Sequence, residues 1–309
     1  MTGTGSDLHI GTAPVNWNNF DLTDWRDPVP FPRILDEMRA AGYTATEWDA
    51  SFGDAPDTLN ALLAERGMAF VAAYRWVDFQ DADAFARDSA ELAPVCRTLA
   101  AIGVRHLIVA DTMRPERIAI AGAVPADGSA SLAPEQLDAL VANLHELARR
   151  AAEAGLSLHY HNHVGSYIEA PAEVAALAER LDPALVDLCF DTGHYAFGGG
   201  DALRFLRDQS DRIGILHLKD VDPEVLAEAR ANGWTFHQSL RHYVFCPLGQ
   251  GAAGIDRIVA TLVERGFPGW VIVEQDTCRG ETVAETTANA RANLETLRGL
   301  IDANGGTIA

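Results

Sequence analysis

The sequence predicts an α/β protein, a single (β/α)8 barrel of the TIM type spanning residues 1–309. Three observations predict it. Eight short apolar runs alternate with stretches of helical spacing, the order that builds a parallel sheet. The first strand-to-helix turn carries no G-x-G-x-x-G, which removes the main support for a doubly wound dinucleotide-binding sheet. No linker or change of composition divides the chain, and no short fixed repeat marks a solenoid.

The elements follow in order. Leu8–Val15 is the first strand and runs into N-W-N-N-F, a polar-aromatic loop over Asn16–Phe20. After Pro28 and Pro30 a helix covers Phe31–Ala41, with Ile34, Leu35 and Met38 on one face and Gly42 as its stop. T-A-T-E-W-D is strand two, with Glu47 and Trp48 near its end. A helix over Ala55–Arg66 stops at Gly67, and strand three, M-A-F-V-A-A-Y, ends at Tyr74 and Arg75. A helix over Ala82–Ala101 leads to H-L-I-V-A-D, ending at Asp111. A loop of small residues, Ala121–Ser131, precedes a helix over Pro134–Ala154. Strands five, six and seven lie in L-S-L-H-Y-H-N-H, L-V-D-L-C-F-D and I-G-I-L-H-L, separated by helices over Pro171–Arg180 and Asp201–Gln209. An excursion, Val221–Gly254, holds a short helix over Glu224–Ala231 and the loop F-C-P-L-G-Q-G. A helix over Ile255–Arg265, the strand W-V-I-V-E ending at Glu274, and a last helix over Glu281–Ile301 complete the barrel.

Composition narrows the function. A hydrophobic content of 48% and a charged content of 22% are those of a globular protein with a full core. A net charge of -20 argues against nucleic acid and against anionic membrane surfaces, and leaves a neutral sugar or polyol open. Cys96, Cys189, Cys246 and Cys278 are far apart and read as reduced thiols, with Cys189 a small buried hydrophobe. The start, M-T-G-T-G-S-D, has no signal-peptide pattern, so the expectation is a cytoplasmic protein. G-G-G at Gly198–Gly200 and L-G-Q-G at Leu248–Gly251 read as flexible loops, because no Lys and Ser/Thr follow as a phosphate loop requires.

A barrel of this type carries its chemistry at the C-terminal ends of the strands. Those ends offer carboxylates and imidazoles from strands five to eight. Asp191 could cap a following helix, but that helix is expected only near Asp201, so metal binding is the reading preferred. His217 shares a strand face with Lys219, and two polar groups facing into a barrel need a reason. Glu274 ends its strand as a third ligand candidate. Glu169 is the candidate first carboxylate, with His161 as its replacement. His159, His161 and His163 alternate on one face, and one of them is expected to be structural. A mixed carboxylate–imidazole set suits one divalent ion, Mn or Co first, with Mg or Zn as alternatives.

Several pieces resemble a known family: G-T-A-P-V-N-W-N-N, A-G-Y-T-A-T-E-W, H-Y-H-N-H-V-G-S-Y-I-E, F-D-T-G-H, H-L-K-D, L-G-Q-G and V-I-V-E-Q-D, running from Gly11 to Asp276. The chain resembles the xylose-isomerase-like barrel superfamily of sugar isomerases, epimerases and dehydratases, and within it the inosose (2-keto-myo-inositol) dehydratases. The resemblance implies a single metal on a carboxylate of strand five, Asp191, His217 and Glu274. Many relatives have Glu inside strand five before Asn-His; here His161 stands there, which leaves Glu169 or His161 as the first ligand. It further implies a lyase dehydrating a cyclic keto-polyol through a metal-bound enolate. An epimerase or isomerase, a β-eliminating 3-keto-glycoside deglycosidase, and a non-catalytic sugar-binding barrel are the alternatives. His163, His194 and Glu274 are then the candidate bases, and Lys219 the group to donate to a departing hydroxyl or hold the enolate charge. Asn16, Trp17, Glu47, Arg75 and His161 are expected to bind substrate. The partner is a small keto-polyol or sugar, and a homo-oligomer is compatible with this reading.

Overall fold

The computed structural model describes residues 7–276 and 278–309. Eight strands run parallel: β1 Asp7–Thr12, β2 Ala45–Trp48, β3 Ala69–Val77, β4 His106–Asp111, β5 Ser157–His161, β6 Val186–Asp191, β7 Ile213–Leu218 and β8 Trp270–Val273. Each pairs with the next, and β8 closes the barrel on β1, from His9 opposite Trp270 to Thr12 opposite Val273. Helices follow the strands on the outside. Their bounds coincide with the sequence reading at Phe31–Ala41, Ala82–Ala101, Pro171–Arg180 and Ile255–Arg265.

Two apolar layers hold the barrel. The larger lies between strands and helices and includes Ile34, Leu92, Leu144, Leu177 and Leu297. The smaller fills the interior with Ala13, Ala45, Ala72, Ile108, Cys189, Ile215 and Ile272. These are small or branched side chains, as the narrow lumen requires. Strand side chains alternate with period two. One step above Ala45, Cys189, Ile215 and Ile272 therefore stand Glu47, Asp191, His217 and Glu274. The apolar plug sets the height of the polar layer.

Below the plug, at the N-terminal end, His106 Nδ1 lies 3.0 Å from His159 Nε2. Burial, with His106 alongside, lowers the His159 pKa to about 3, so this imidazole is a neutral structural group.

The structure differs from the sequence reading in local ways. β1 ends at Thr12 and the chain turns through a 3-10 helix at Pro14–Asn16. β3 runs on to Val77. A six-residue helix, Thr192–Phe197, starts directly after β6, ahead of the expected one at Ala202–Gln209. It is too short for a periodic signal. The excursion contains a second helix, Phe236–Arg241, and Asp220–Val221 pairs antiparallel with Phe245–Cys246. Thr307–Ile308 adds alongside β1 outside the barrel. Among the described residues no helix is long and apolar enough to cross a membrane.

The L-G-Q-G segment is a cradle for the protein's own anion. The buried Asp220 carboxylate accepts N–H bonds from Gly249 and Gly251 at 2.9 Å and from Ala253 and Val221 at 3.0 Å. A Cβ on Gly251 would fall 2.4 Å from Asp220 Oδ1, so the approach requires glycine. The segment is thus ordered by Asp220, in place of the flexible loop expected. Asp220→Ala leaves those four N–H groups without their acceptor. It is expected to cost about 3–5 kcal/mol in urea unfolding at pH 7, and an unchanged midpoint would contradict the cradle.

Candidate active site

A cavity of about 360 Å³ opens at the C-terminal mouth of the barrel. His161, His163, His194, Lys219, Glu274 and Asp276 line one side, and Glu47 reaches in from β2.

The F-D-T-G-H segment assembles its deepest part. Asp191 is the N-cap of the Thr192–Phe197 helix, with Oδ1 accepting from the His194 N–H at 2.7 Å. The sequence reading ranked metal binding above capping because it placed the helix later; the cap is present. Only one oxygen is used. Oδ2 accepts no aligned hydrogen bond and lies 3.1 Å from Lys219 Nζ. Asn162 pins this end: its Oδ1 accepts from the Asp191 N–H at 3.0 Å and its Nδ2 donates to the Asp191 carbonyl at 3.2 Å. Thr192 Oγ1 accepts from the Lys219 N–H at 2.9 Å and donates to the Lys219 carbonyl at 2.7 Å, which locks β7 to β6. Gly193 makes room for the Lys219 stem. A Cβ there would lie 2.6 Å from Lys219 Cγ.

Lys219 is fully surrounded. Nζ stands 2.8 Å from Asp276 Oδ2, 3.0 Å from Glu274 Oε2, 3.1 Å from Asp191 Oδ2 and 3.0 Å from His194 Nε2. Burial opposes its charge, but the three carboxylates overcome it and hold the ammonium well above its ordinary pKa. His217 is the second cation. Its Nε2 donates to Glu47 Oε1 at 2.8 Å, and its Nδ1 faces Glu274 Oε1 at 3.2 Å without hydrogen-bond alignment. Burial again opposes, while the Cys189 sulfur, Glu274 and Glu47 raise its pKa strongly. Glu274 is held well below the usual range: burial works against this, and His217 and Lys219 outweigh it. Asp276 is pushed up to about 7 by burial, which Lys219 only partly offsets.

The imidazoles divide. His194 is kept neutral by burial and by the charges of His163 and Lys219. His161 is kept neutral by burial and by His217, and its Nδ1 has no hydrogen-bond partner. His163 is raised: burial opposes the charge, but Asp21, with Oδ2 3.3 Å from Nε2, prevails, and Nδ1 donates to the Val164 carbonyl at 2.7 Å.

These groups suit a divalent cation. His161 Nδ1, Asp191 Oδ2, His217 Nδ1 and Asp276 Oδ1 are buried and unmatched by any hydrogen bond. Donor atoms of Glu47, His217 and Glu274 lie within 4.8 Å of one another, as do those of His161, Cys189 and His217 and those of His161, His163 and His194. The mixture of carboxylate and imidazole is that of a borderline-hard ion.

Several sequence expectations are corrected. Glu169 does not join the cluster. Its oxygens accept from the Gly122 N–H at 2.7 Å and the Gly165 N–H at 2.8 Å, so the carboxylate ties two loops together away from the cavity. Asn16 does not line the cavity; its Oδ1 accepts from the Gln275 N–H at 2.8 Å and its Nδ2 donates to the Val273 carbonyl at 3.3 Å, holding the segment that carries Glu274 and Asp276. Trp17 is core, fully buried, with Nε1 donating to Thr287 Oγ1 at 3.1 Å. Glu47 pairs with His217 at the cavity floor, where a hydroxyl-binding role was expected. Arg75, by contrast, lines the cavity together with Tyr74 and Trp76, near Asp49. The sequence reading missed Asp276, Asp21, Phe20 and Trp76. Asp276 was findable, being two residues past Glu274. Asp21 and Phe20 sit on an irregular loop that carries no period.

Gly193→Ala is expected to overpack Lys219 and cost about 1–3 kcal/mol in urea unfolding. A variant as stable as the parent would show that the Lys219 stem does not depend on that space.

The comparisons with known proteins agree with this architecture. Residues 35–300 match the family described as "Xylose isomerase-like TIM barrel". An inosose dehydratase of Geobacillus kaustophilus (strain HTA426) is 31% identical over 276 residues, covering 89% of this chain and 90% of that protein. The rhizopine catabolism protein MocC of Rhizobium meliloti is 30% identical over 269 residues, covering 87% of this chain and 82% of that one. Among solved structures, the 3-keto-D-glucoside 4-epimerase YcjR from E. coli shares the fold, with a TM-score of 0.67, 17% identity, and 95% of this chain and 100% of that one covered. The chain belongs to the xylose isomerase-like TIM barrel family.

Proposed function

We propose that the protein is a metal-dependent carbon–oxygen lyase that dehydrates a cyclic keto-polyol of the inosose class. The observation that carries this reading is one cavity over buried carboxylate and imidazole atoms that no hydrogen bond matches, with His163 and His194 lining it. Similarity to inosose dehydratases over most of the chain supports it.

Asp191, His217 and Glu274 would hold the ion, with His161 in the place first given to Glu169 and Glu47 beside His217. Mn or Co is the expected ion. When bound, a divalent ion polarises a carbonyl oxygen and acidifies the neighbouring C–H. His194, held below its ordinary pKa and lining the cavity, is the group to accept that proton, its Nε2 giving up the 3.0 Å contact with the Lys219 ammonium to do so. The electron pair left on carbon moves toward the carbonyl, and the Lys219 ammonium, which lines the cavity, would offset the negative charge that develops. His163, whose pKa Asp21 raises against the effect of burial, would donate from Nε2 to the hydroxyl on the next carbon. That C–O bond breaks and water leaves, so one C–H and one C–OH are exchanged for a double bond and H₂O.

With Mn²⁺ or Co²⁺, 2-keto-myo-inositol is expected to give a product absorbing in the ultraviolet, abolished by a chelator. Asp191→Asn and His163→Asn are each expected to lower kcat about 100-fold. Protein that carries metal yet returns the ketone epimerised or unchanged would refute the assignment.

A further inference from the structure

Across the barrel mouth from β6 and β7 lie the turn after β2 and the end of β3. That side of the cavity carries Asp49, Ser51 and Arg75. Asp49 is 8% exposed. Its Oδ1 accepts from the Ser51 N–H at 2.7 Å and caps the 3-10 turn Ala50–Phe52. Its Oδ2 is buried and has no hydrogen-bond partner. Burial raises the Asp49 pKa, and Ser51 and then the Arg75 charge work against it. Arg75 is thus close enough to act on Asp49, yet the two form no ion pair. Among the described residues the Arg75 guanidinium makes no hydrogen bond either. The spare capacity is complementary: a carboxylate oxygen that accepts and a fork of N–H groups that donate. Neither side chain has a part in the cation binding or proton transfer proposed for the opposite side.

A buried acceptor without a donor is unfavourable, so Asp49 Oδ2 calls for a donor from outside the chain. Two ligand chemistries could use the pair. An anion would suit Arg75, but it would also face Asp21, Glu47 and Asp49 within a chain of net charge -20. A neutral diol suits both groups, because a hydroxyl donates as readily as it accepts. We propose that Asp49 and Arg75 read two adjacent hydroxyls on the part of the ring farthest from the ketone. One hydroxyl donates to Asp49 Oδ2, and its neighbour accepts from the Arg75 guanidinium. The ketone then points toward β6–β8, and a ring ketone without the distal diol leaves both groups unmatched. This deepens the keto-polyol reading and rests on it.

The test separates binding from turnover. Isothermal titration compares 2-keto-myo-inositol with its 5-deoxy analogue, which lacks the hydroxyl opposite the ketone. A chelator is present to stop turnover. The parent is expected to bind the full polyol about tenfold tighter, with the ratio falling to about twofold in Asp49→Asn and in Arg75→Met. In Asp49→Asn the side-chain oxygen can still accept from the Ser51 N–H, while the amide donates where an acceptor is needed. Arg75→Met keeps most of the stem, and urea unfolding checks that both variants fold. Equal affinities in the parent, no measurable binding of either ketone, or a ratio that survives in either folded variant would overturn the subsite. Tighter binding of myo-inositol 1-phosphate than of myo-inositol, lost in Arg75→Met, would assign the pair to an anion and overturn it too. Turnover with metal restored is assayed separately. A parent that discriminates the two ketones yet releases no water from either would refute the dehydratase reading and leave the subsite standing.

Discussion

The organisation of the barrel mouth depends on one buried ammonium. Lys219 Nζ lies within about 3 Å of the Asp191, Glu274 and Asp276 carboxylates, and the residue is almost fully buried. Buried charges persist only when they are paired and hydrogen-bonded. Neighbouring residues serve that requirement. Thr192 fixes the Lys219 backbone, Gly193 clears its stem, Asn162 sets the height of Asp191, and Asn16 holds the strand end bearing Glu274 and Asp276. Substitutions in F-D-T-G-H therefore act on Lys219 as much as on Asp191.

The fold was legible because its physics is local and periodic. Strand alternation and helix stops at glycine place the eight units, and the same alternation puts Asp191, His217 and Glu274 one step above a plug of small interior residues. What was illegible depends on loop closure. Glu169 looked like a ligand from its type and position, but its partners are the N–H groups of Gly122 and Gly165, and Gly122 is 47 residues away. Trp17 and Asn16 were expected to bind substrate at a strand end, yet the turn at Pro14–Asn16 folds them into the wall. Asp21 reaches His163 from a loop whose path no pattern encodes.

The same asymmetry links structure to chemistry. Strands β5–β8 carry the ionisable side, where proton transfer and cation binding would occur. The turns after β1 and β2 and the end of β3 carry a mixed side, where Val15, Phe20 and Trp76 stand among Asp21, Asp49, Ser51 and Arg75. Electrostatics push the two neighbouring imidazoles in opposite directions, His163 upward through Asp21 and His194 downward through burial and its cationic neighbours.

The central claim is that Lys219 balances the buried carboxylates, and Lys219→Met tests it most directly. Urea unfolding in the presence of a chelator at pH 7 should show a loss of about 3–5 kcal/mol. Burial raises the pKa of Asp191 and Asp276, and removing the ammonium raises it further. The loss should therefore shrink as pH falls toward 5 and these groups take up protons. A Lys219→Met variant as stable as the parent at pH 7 would contradict the account.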